Sequence, residues 1–451
     1  EYQSSIYYPY ALMGYLNLYD FSPDSATRAL ARAQLDYYLA TYALSSLDGV
    51  IAGAQRRGYL SYGPPKDMEK YLWLWSGAGP WALDSSQLAS KVMLHPYSSG
   101  YRPHPLVYRL LRKEVPLPYE AYFTFPSYHL ERVAVHPAYL YMSEHFALGS
   151  VLPDQIDNPA QQVCWSLVLR DSLRPRQMGG GHPRYPYPSG HSPYTQTLQQ
   201  GGTLLLLTGQ HTPLSPPADL RPDRLSWFEG VDLTLKATVW PEAGASARDW
   251  IDFLEQAPGR AETWFYVPKG YDRHQSQNGT HYLAYDGTYL AVVPVGRYTR
   301  LDLPALDSLA QWLGQQKSRR SLMDHYEIWV TDGPWSGFVL EAVEAHEFDS
   351  FSAFITAHQI RSHTDLGDLG VGRLRHRSLS GTRLDMQFAA DAFRPRFRIN
   401  GRRLDWDKLL AGAAIQSPLL QLGEGRLRLT DGQEVYEIQW NDQDGPTFLD
   451  K

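Results

Sequence analysis

Three short clusters hold residue types that move protons beside a carboxylate. The first carries Gln3 and Tyr7, the second Gln55, Arg56, Arg57, Tyr59 and Tyr62, and the third His136, Tyr139, Tyr141, Ser143, Glu144 and His145. A planar guanidinium such as Arg57 grips a carboxylate through two parallel hydrogen bonds, and its charge lowers the pKa of a neighbouring phenol. With the carboxylate neutralised, Tyr59 or His136 can take the adjacent proton while Tyr7 or Tyr141 protonates a leaving oxygen. Gln3, Gln55, Arg56, Arg57, Tyr62, Tyr139 and His145 then hold the anionic group. Alternation along an extended segment puts Tyr139, Tyr141 and Ser143 on one face.

The positioning elements follow from periodicity. Apolar residues recur at three- and four-residue spacing through Leu30, Ala33, Tyr37, Tyr38, Thr41 and Tyr42 behind the cap signal Ser22-Pro23-Asp24, which predicts a helix from Asp24 to Leu47. Further helices are expected over Ser4 to Tyr19, Met68 to Trp75, Ser85 to Leu94 and Pro105 to Leu111. From Pro116 the pattern turns to short aromatic strands, among them Ala121 to Phe125, Glu131 to Val135, Ala138 to Met142 and Gln162 to Leu169. Arg174 to Pro193 is rich in Gly and Pro and reads as a loop or hinge, with Gly179, Gly180 and Gly181 as a flexible turn.

Beyond it strands dominate, including Gly202 to Leu207, Asp232 to Val239, Tyr326 to Thr331, Gly337 to Ala342 and Phe393 to Ile399. Asp286-Gly287, Asn400-Gly401 and Asp431-Gly432 supply hairpin turns. Two helices interrupt them, near Leu306 to Gln316 and Ser350 to His363. At 451 residues two domains are expected.

The net charge of −6 supplies no global positive field for nucleic acid, so an anion site must be local. An aromatic content of 13% suits a protein that stacks sugar rings. The single cysteine, Cys164, excludes an intrachain disulfide and sits in an apolar run that reads as core. No run of about 18 apolar residues marks a membrane span. Glu1 stands where an initiating methionine would, and a processed or truncated N-terminus is expected.

Phosphate-binding, dinucleotide, zincin and α/β-hydrolase motifs are missing from the chain. The pairs His182 with His191 and His358 with His363 are too loosely spaced to name a metal, so neither metal nor cofactor is expected.

At the same three clusters the chain resembles the toroid-plus-sandwich polysaccharide lyases, the heparinase-like and alginate-lyase-like group. In that pattern asparagine stands at Gln3, proline at Ser5 and histidine at Gln55, whereas Arg57, Tyr59 and the segment Leu148-Gly149-Ser150 agree. The resemblance implies an α+β chain: a partial (α/α) toroid of helical hairpins with a strand-rich end over 1–175, a hinge over 176–195, and a large antiparallel β-sandwich over 196–451. It also implies β-elimination on an anionic, uronate-containing polysaccharide outside the cell or in a periplasm, without nucleic acid or membrane partners. Glutamine at both neutralising positions shifts that task to Arg57.

Two other readings start from the residues. Glu131 with Glu144, or Asp154 with Asp157, could flank a glycosidic bond in a hydrolase on a helical-barrel scaffold. Arg373, Arg375, Arg377, Arg383, Arg394, Arg396, Arg398, Arg402 and Arg403 crowd a β region and could line a groove for a polyanion in a non-catalytic glycan-binding protein.

Overall fold

The computed structural model describes residues 3–56, 60, 65–79, 83, 85–126, 135–151, 162–173, 175–181, 195–209, 261–301, 324–389, 395–403, 414–441 and 445–451. The chain is mixed α+β, with most described helices before residue 113 and the antiparallel sheets built mainly from the strands after it.

Helix Tyr8–Phe21 and helix Ser25–Ser45 form a hairpin. Asp24 stops the first from running into the second. Its carboxylate accepts from the backbone N–H groups of Ala26 and Thr27 at 3.3 and 2.9 Å, satisfying donors that the first turn leaves open. Asp67–Ser76 and Pro105–Arg112 complete this layer, and Tyr8, Leu12, Leu16, Leu35, Leu39, Tyr42, Leu72 and Leu110 form its core.

That core is shared with the last strands of the chain through Leu420, Leu427, Leu429, Tyr436 and Ile438. The buried Asp36 fixes the register of the two parts, because its carboxylate accepts from the hydroxyls of Tyr101 and Tyr436, each at 2.6 Å. Burial pushes the Asp36 carboxyl up, and the two tyrosine hydrogen bonds act against that rise.

Every described strand pairing is antiparallel, and seventeen described strands form one sheet. From the C-terminal strand Gly445–Asp450 the sheet steps inward to Ile415–Gln416, which pairs with Tyr119–Pro126. It continues through Val135–Met142, Phe146–Val151, Trp165–Leu169 and Arg176–Gly181 to Ala261–Pro268. Arg176–Gly181 is therefore a strand paired on both sides, not a turn. Its glycines are explained by packing, since a Cβ on Gly179 would sit 2.6 Å from the Leu60 side chain and one on Gly180 2.5 Å from the Trp165 indole nitrogen.

The 19-residue strand Tyr326–Glu344 is the spine of the far end. It pairs with Thr288–Arg300 on one side, and with Ala261–Pro268 and Thr203–Thr208 on the other. The sequence predicts two strands here, and the structure joins them through a bend in which Gly333 and Gly337 take φ of 151° and 154°. A Cβ on Gly337 would lie 1.9 Å from the carbonyl oxygen of Leu206 on the paired strand. Gly337→Ala is expected to cost about 2 kcal/mol or more, read as a lower midpoint in denaturant unfolding with unchanged slope.

A second, five-stranded sheet, His363–Asp365, Arg373–Arg377, Arg383–Gln387, Arg396–Ile399 and Arg402–Arg403, packs across this end. Its Leu374, Leu384, Met386 and Phe397 meet Leu198, Leu205, Leu207, Val295 and Val339 of the large sheet. Helix Phe351–Arg361, capped by Ser350, packs on the large sheet with Phe351, Phe354 and Ile355 against Tyr282, Ala284 and Ala291. No described helix is long and apolar enough to cross a membrane. The helix expected over Leu306 to Gln316 and the strand expected over Asp232 to Val239 lie outside the described residues.

Candidate functional site

The five-stranded sheet alternates strictly. Leu374, His376, Leu384, Met386 and Phe397 turn inward and are buried, so their neighbours Arg373, Arg375, Arg377, Arg383, Asp385, Gln387, Arg396 and Arg398 stand on the outer face. Cross-strand partners share a face, which adds Arg403 opposite Arg398, and His363 and Asp365 opposite Arg377 and Arg375. The outer face thus presents seven arginines and two aspartates.

The aspartates are already engaged. Arg373 binds Asp385 in two-pronged fashion, Nε to Oδ1 at 2.8 Å and Nη2 to Oδ2 at 2.6 Å, and these bonds hold the Asp385 carboxyl below its usual range. Arg375 binds Asp365 at 2.6 Å and also reaches Asp368. Arg377, Arg383, Arg396, Arg398 and Arg403 make no ion pair among the described residues. Register sets Arg377 directly against Arg383, and Arg398 directly against Arg403. Arg375, Arg377, Arg383 and Arg398 line one concavity of about 570 Å³.

Residues flanking the three clusters that suggest proton chemistry pack together at a different place, while Tyr139 and Tyr141 stand on the opposite face of that sheet. Gln3 donates through Nε2 to Ser45 Oγ at 2.6 Å, and the carbonyl of the same Ser45 accepts from Ala52 N at 2.9 Å. Gly53, one residue on, donates to Ser166 Oγ at 2.8 Å. It presses on Gly149 so closely that a Cβ on Gly149 would lie 2.8 Å from the Gly53 Cα. Segments from three distant parts of the chain are thus stacked around the end of one helix. Arg57, Tyr59 and Tyr62 lie outside the described residues, and so does the side chain of Arg56, whose backbone pairs with Gln162.

The other expected site residues divide into enclosed and accessible ones. Gln3 is 3% exposed, Gln55 1% and His136 0%, so none of these three offers a surface to a sugar. Gln3 spends its amide inside the fold, on Ser45 Oγ. Tyr7 is half-buried at the entry to helix Tyr8–Phe21, its ring 6.2 Å from Tyr10. Tyr139 accepts from Gly201 N at 2.9 Å, and burial pushes its hydroxyl far up. Tyr141 is half-buried on the same face, and burial followed by the nearby Glu347 charge raises its pKa.

His145 holds a hydrogen bond of 2.7 Å between Nδ1 and Glu344 Oε2, while Glu344 Oε1 accepts from Ser143 Oγ at 2.5 Å and His145 N at 2.9 Å. Burial of Glu344 works against its ionisation, and these donors outweigh it and hold the carboxyl below its usual range. Sequence reasoning misses Glu344. It stands some two hundred positions from His145, and no local spacing announces it. Of the hydrolase pairs, Glu131, Asp154 and Asp157 lie outside the described residues, as does Arg394. Cys164 is buried.

No family model, curated protein or solved structure matches this chain.

Proposed function

We propose that this chain binds an acidic polysaccharide on the arginine face of its five-stranded sheet. The register carries the reading. Two like charges directly opposite each other destabilise a sheet, and Arg377 against Arg383 repeats at Arg398 against Arg403. A carboxylate or sulfate bridging each pair turns that repulsion into charge-assisted hydrogen bonds. Alternate residues along a strand stand about 7 Å apart and neighbouring strands about 4.8 Å apart, so the face offers regularly spaced cations to a polymer with regularly spaced anions. The outer face holds no Phe, Tyr or Trp among the described residues, which leaves nucleic-acid bases without a stacking platform there.

A second reading is cleavage of that polymer by β-elimination, and it rests on the packing of Gln3 with segments beside the other two clusters at Ser45, Gly53 and Gly149. In this reading the helices form part of a toroid and the sheets close over it. Arg57 neutralises the uronate carboxylate, Tyr59 takes the adjacent proton, and Tyr7 protonates the leaving oxygen, because Tyr141 stands on the sheet face opposite Gly53. The substrate would place the protein outside the cell or in a periplasm.

A panel of alginate, glucuronan, hyaluronan and heparan-type polymers separates the two. Salt-sensitive binding to at least one polymer is expected, and binding to none would defeat both readings. An ultraviolet absorbance gain from an unsaturated product, lost in Arg57→Ala and Tyr59→Phe with binding retained, is the expected sign of elimination. New reducing ends without absorbance would point to hydrolysis instead.

A further inference from the structure

We propose that Glu144, His145 and His346 form a binding site for a divalent metal of the zinc type. One ring nitrogen of each histidine and one carboxylate oxygen of Glu144 lie within 4.8 Å of one another. A tetrahedral zinc ion with bonds of about 2.0 Å places its ligand atoms about 3.3 Å apart. Small rotations of Glu144 and His346, both exposed, close that difference. Two imidazoles and one carboxylate suit zinc and its first-row neighbours, whereas calcium and magnesium prefer all-oxygen sets.

The surroundings are built for such a ligand. Histidine ligands to metals usually give their second ring nitrogen to a carboxylate, which fixes the ring and its tautomer. Glu344 does this for His145, taking Nδ1 at 2.7 Å and leaving Nε2 as the ligand atom. Glu344 is itself held from two sides, by Ser143 Oγ and by the backbone N–H of His145. The imidazole also needs room, and Gly287 at φ 72° supplies it. A Cβ there would lie 2.2 Å from Cδ2 of the His145 ring. Three protein ligands leave a fourth position for water, and the exposure of Glu144 and His346 gives the ion a way in.

Such an ion would join the turn Ser143–His145 to the end of the long strand Tyr326–Glu344, two segments from opposite parts of the chain. Sequence spacing predicts no metal here, because Glu144 and His145 alone make no ligand set and His346 is remote.

The test titrates zinc ions into the full chain after chelator treatment, by calorimetry, and repeats the titration with cobalt ions followed by visible absorbance. One ion per chain is expected, with a higher melting temperature when it is bound. His346→Ala and Glu144→Gln should each weaken binding at least tenfold, and Glu344→Gln roughly 10- to 100-fold through the loosened His145 ring. The two ligand variants alter exposed side chains, and circular dichroism checks that they fold. No saturable binding by the unmodified chain, or unchanged binding in both His346→Ala and Glu144→Gln, would overturn the site.

Discussion

Replacing Arg377, Arg383 and Arg398 together with glutamate should reduce affinity for an acidic polysaccharide by roughly a hundredfold or more, at about 1 kcal/mol for each charge-assisted hydrogen bond removed. All three are exposed and make no ion pair among the described residues, so the substitution breaks no internal salt bridge of theirs. Arg373 is the wrong residue for such a test. It is committed to Asp385, and removing it would leave that carboxylate without its main partner. The weakening should be largest in dilute buffer and shrink as salt shortens the reach of the charges, to about 3 Å at 1 M. Glutamate at Arg377 and Arg383 would also face each other, so the alanine triple variant checks that the weakening does not come from new repulsion. Calorimetry or a retardation gel at several salt concentrations reads the outcome.

Glu341→Ala should destabilise the chain by about 3–5 kcal/mol, because three hydrogen-bond donors and a further imidazole surround this one buried carboxylate. Oε1 lies 2.5 Å from Ser362 Oγ, 2.9 Å from His376 Nε2 and 3.1 Å from His358 Nε2, and Oε2 accepts from Leu379 N at 2.7 Å. The imidazoles are held on their far sides, His358 Nδ1 by Tyr282 Oη and His376 Nδ1 by Thr364 Oγ1, each at 3.0 Å. Glu341 therefore clasps helix Phe351–Arg361 and the five-stranded sheet to the long strand. Without it the arginine face loses its polar tie and keeps only its apolar packing on the large sheet.

The clasp has a defined pH dependence. Burial alone would raise the Glu341 carboxyl, but the hydrogen bonds from His358 and His376 outweigh it and hold the folded pKa well below the ordinary value. Its contribution to stability is complete above the unfolded pKa of about 4.3, and is lost as pH falls below that toward the folded value. Glu341→Gln should therefore differ most from the unmodified chain at neutral pH and converge with it in acid. Thermal unfolding from neutral pH into acid reads this. A constant gap across the range would show that the carboxylate charge plays no part.

Much of the fold is legible where one local rule dominates. Asp24 with its three- and four-residue apolar pattern marks the helix seen at Ser25–Ser45, and Ser350 marks the one seen at Phe351–Arg361. Asn400 and Gly401 take φ of 51° and 79° in the hairpin that their dipeptide predicts. The rule fails where glycine has a second use. Gly179 and Gly180 signal a turn locally, yet they sit in a strand because Leu60 and Trp165 press against it.

The candidate sites show the same division. Alternate arginines on one strand are readable at Arg396 and Arg398, but the opposition of Arg377 to Arg383 depends on a pairing register that no single strand reveals. Gln3, Gln55 and His136 carry chemically useful groups, and only their burial shows them to be parts of the interior. Glu344 and His346 reach His145 through the long strand, which spacing along the chain does not foretell.

The most direct measurement modifies arginines with a dicarbonyl reagent, with and without a saturating acidic polysaccharide, and reads each site by peptide mass. Arg377, Arg383 and Arg398 should be shielded by the polymer, while Arg28 and Arg102 on the helical layer react equally in both conditions. Full reactivity of those three sheet arginines under saturating polymer would contradict the account.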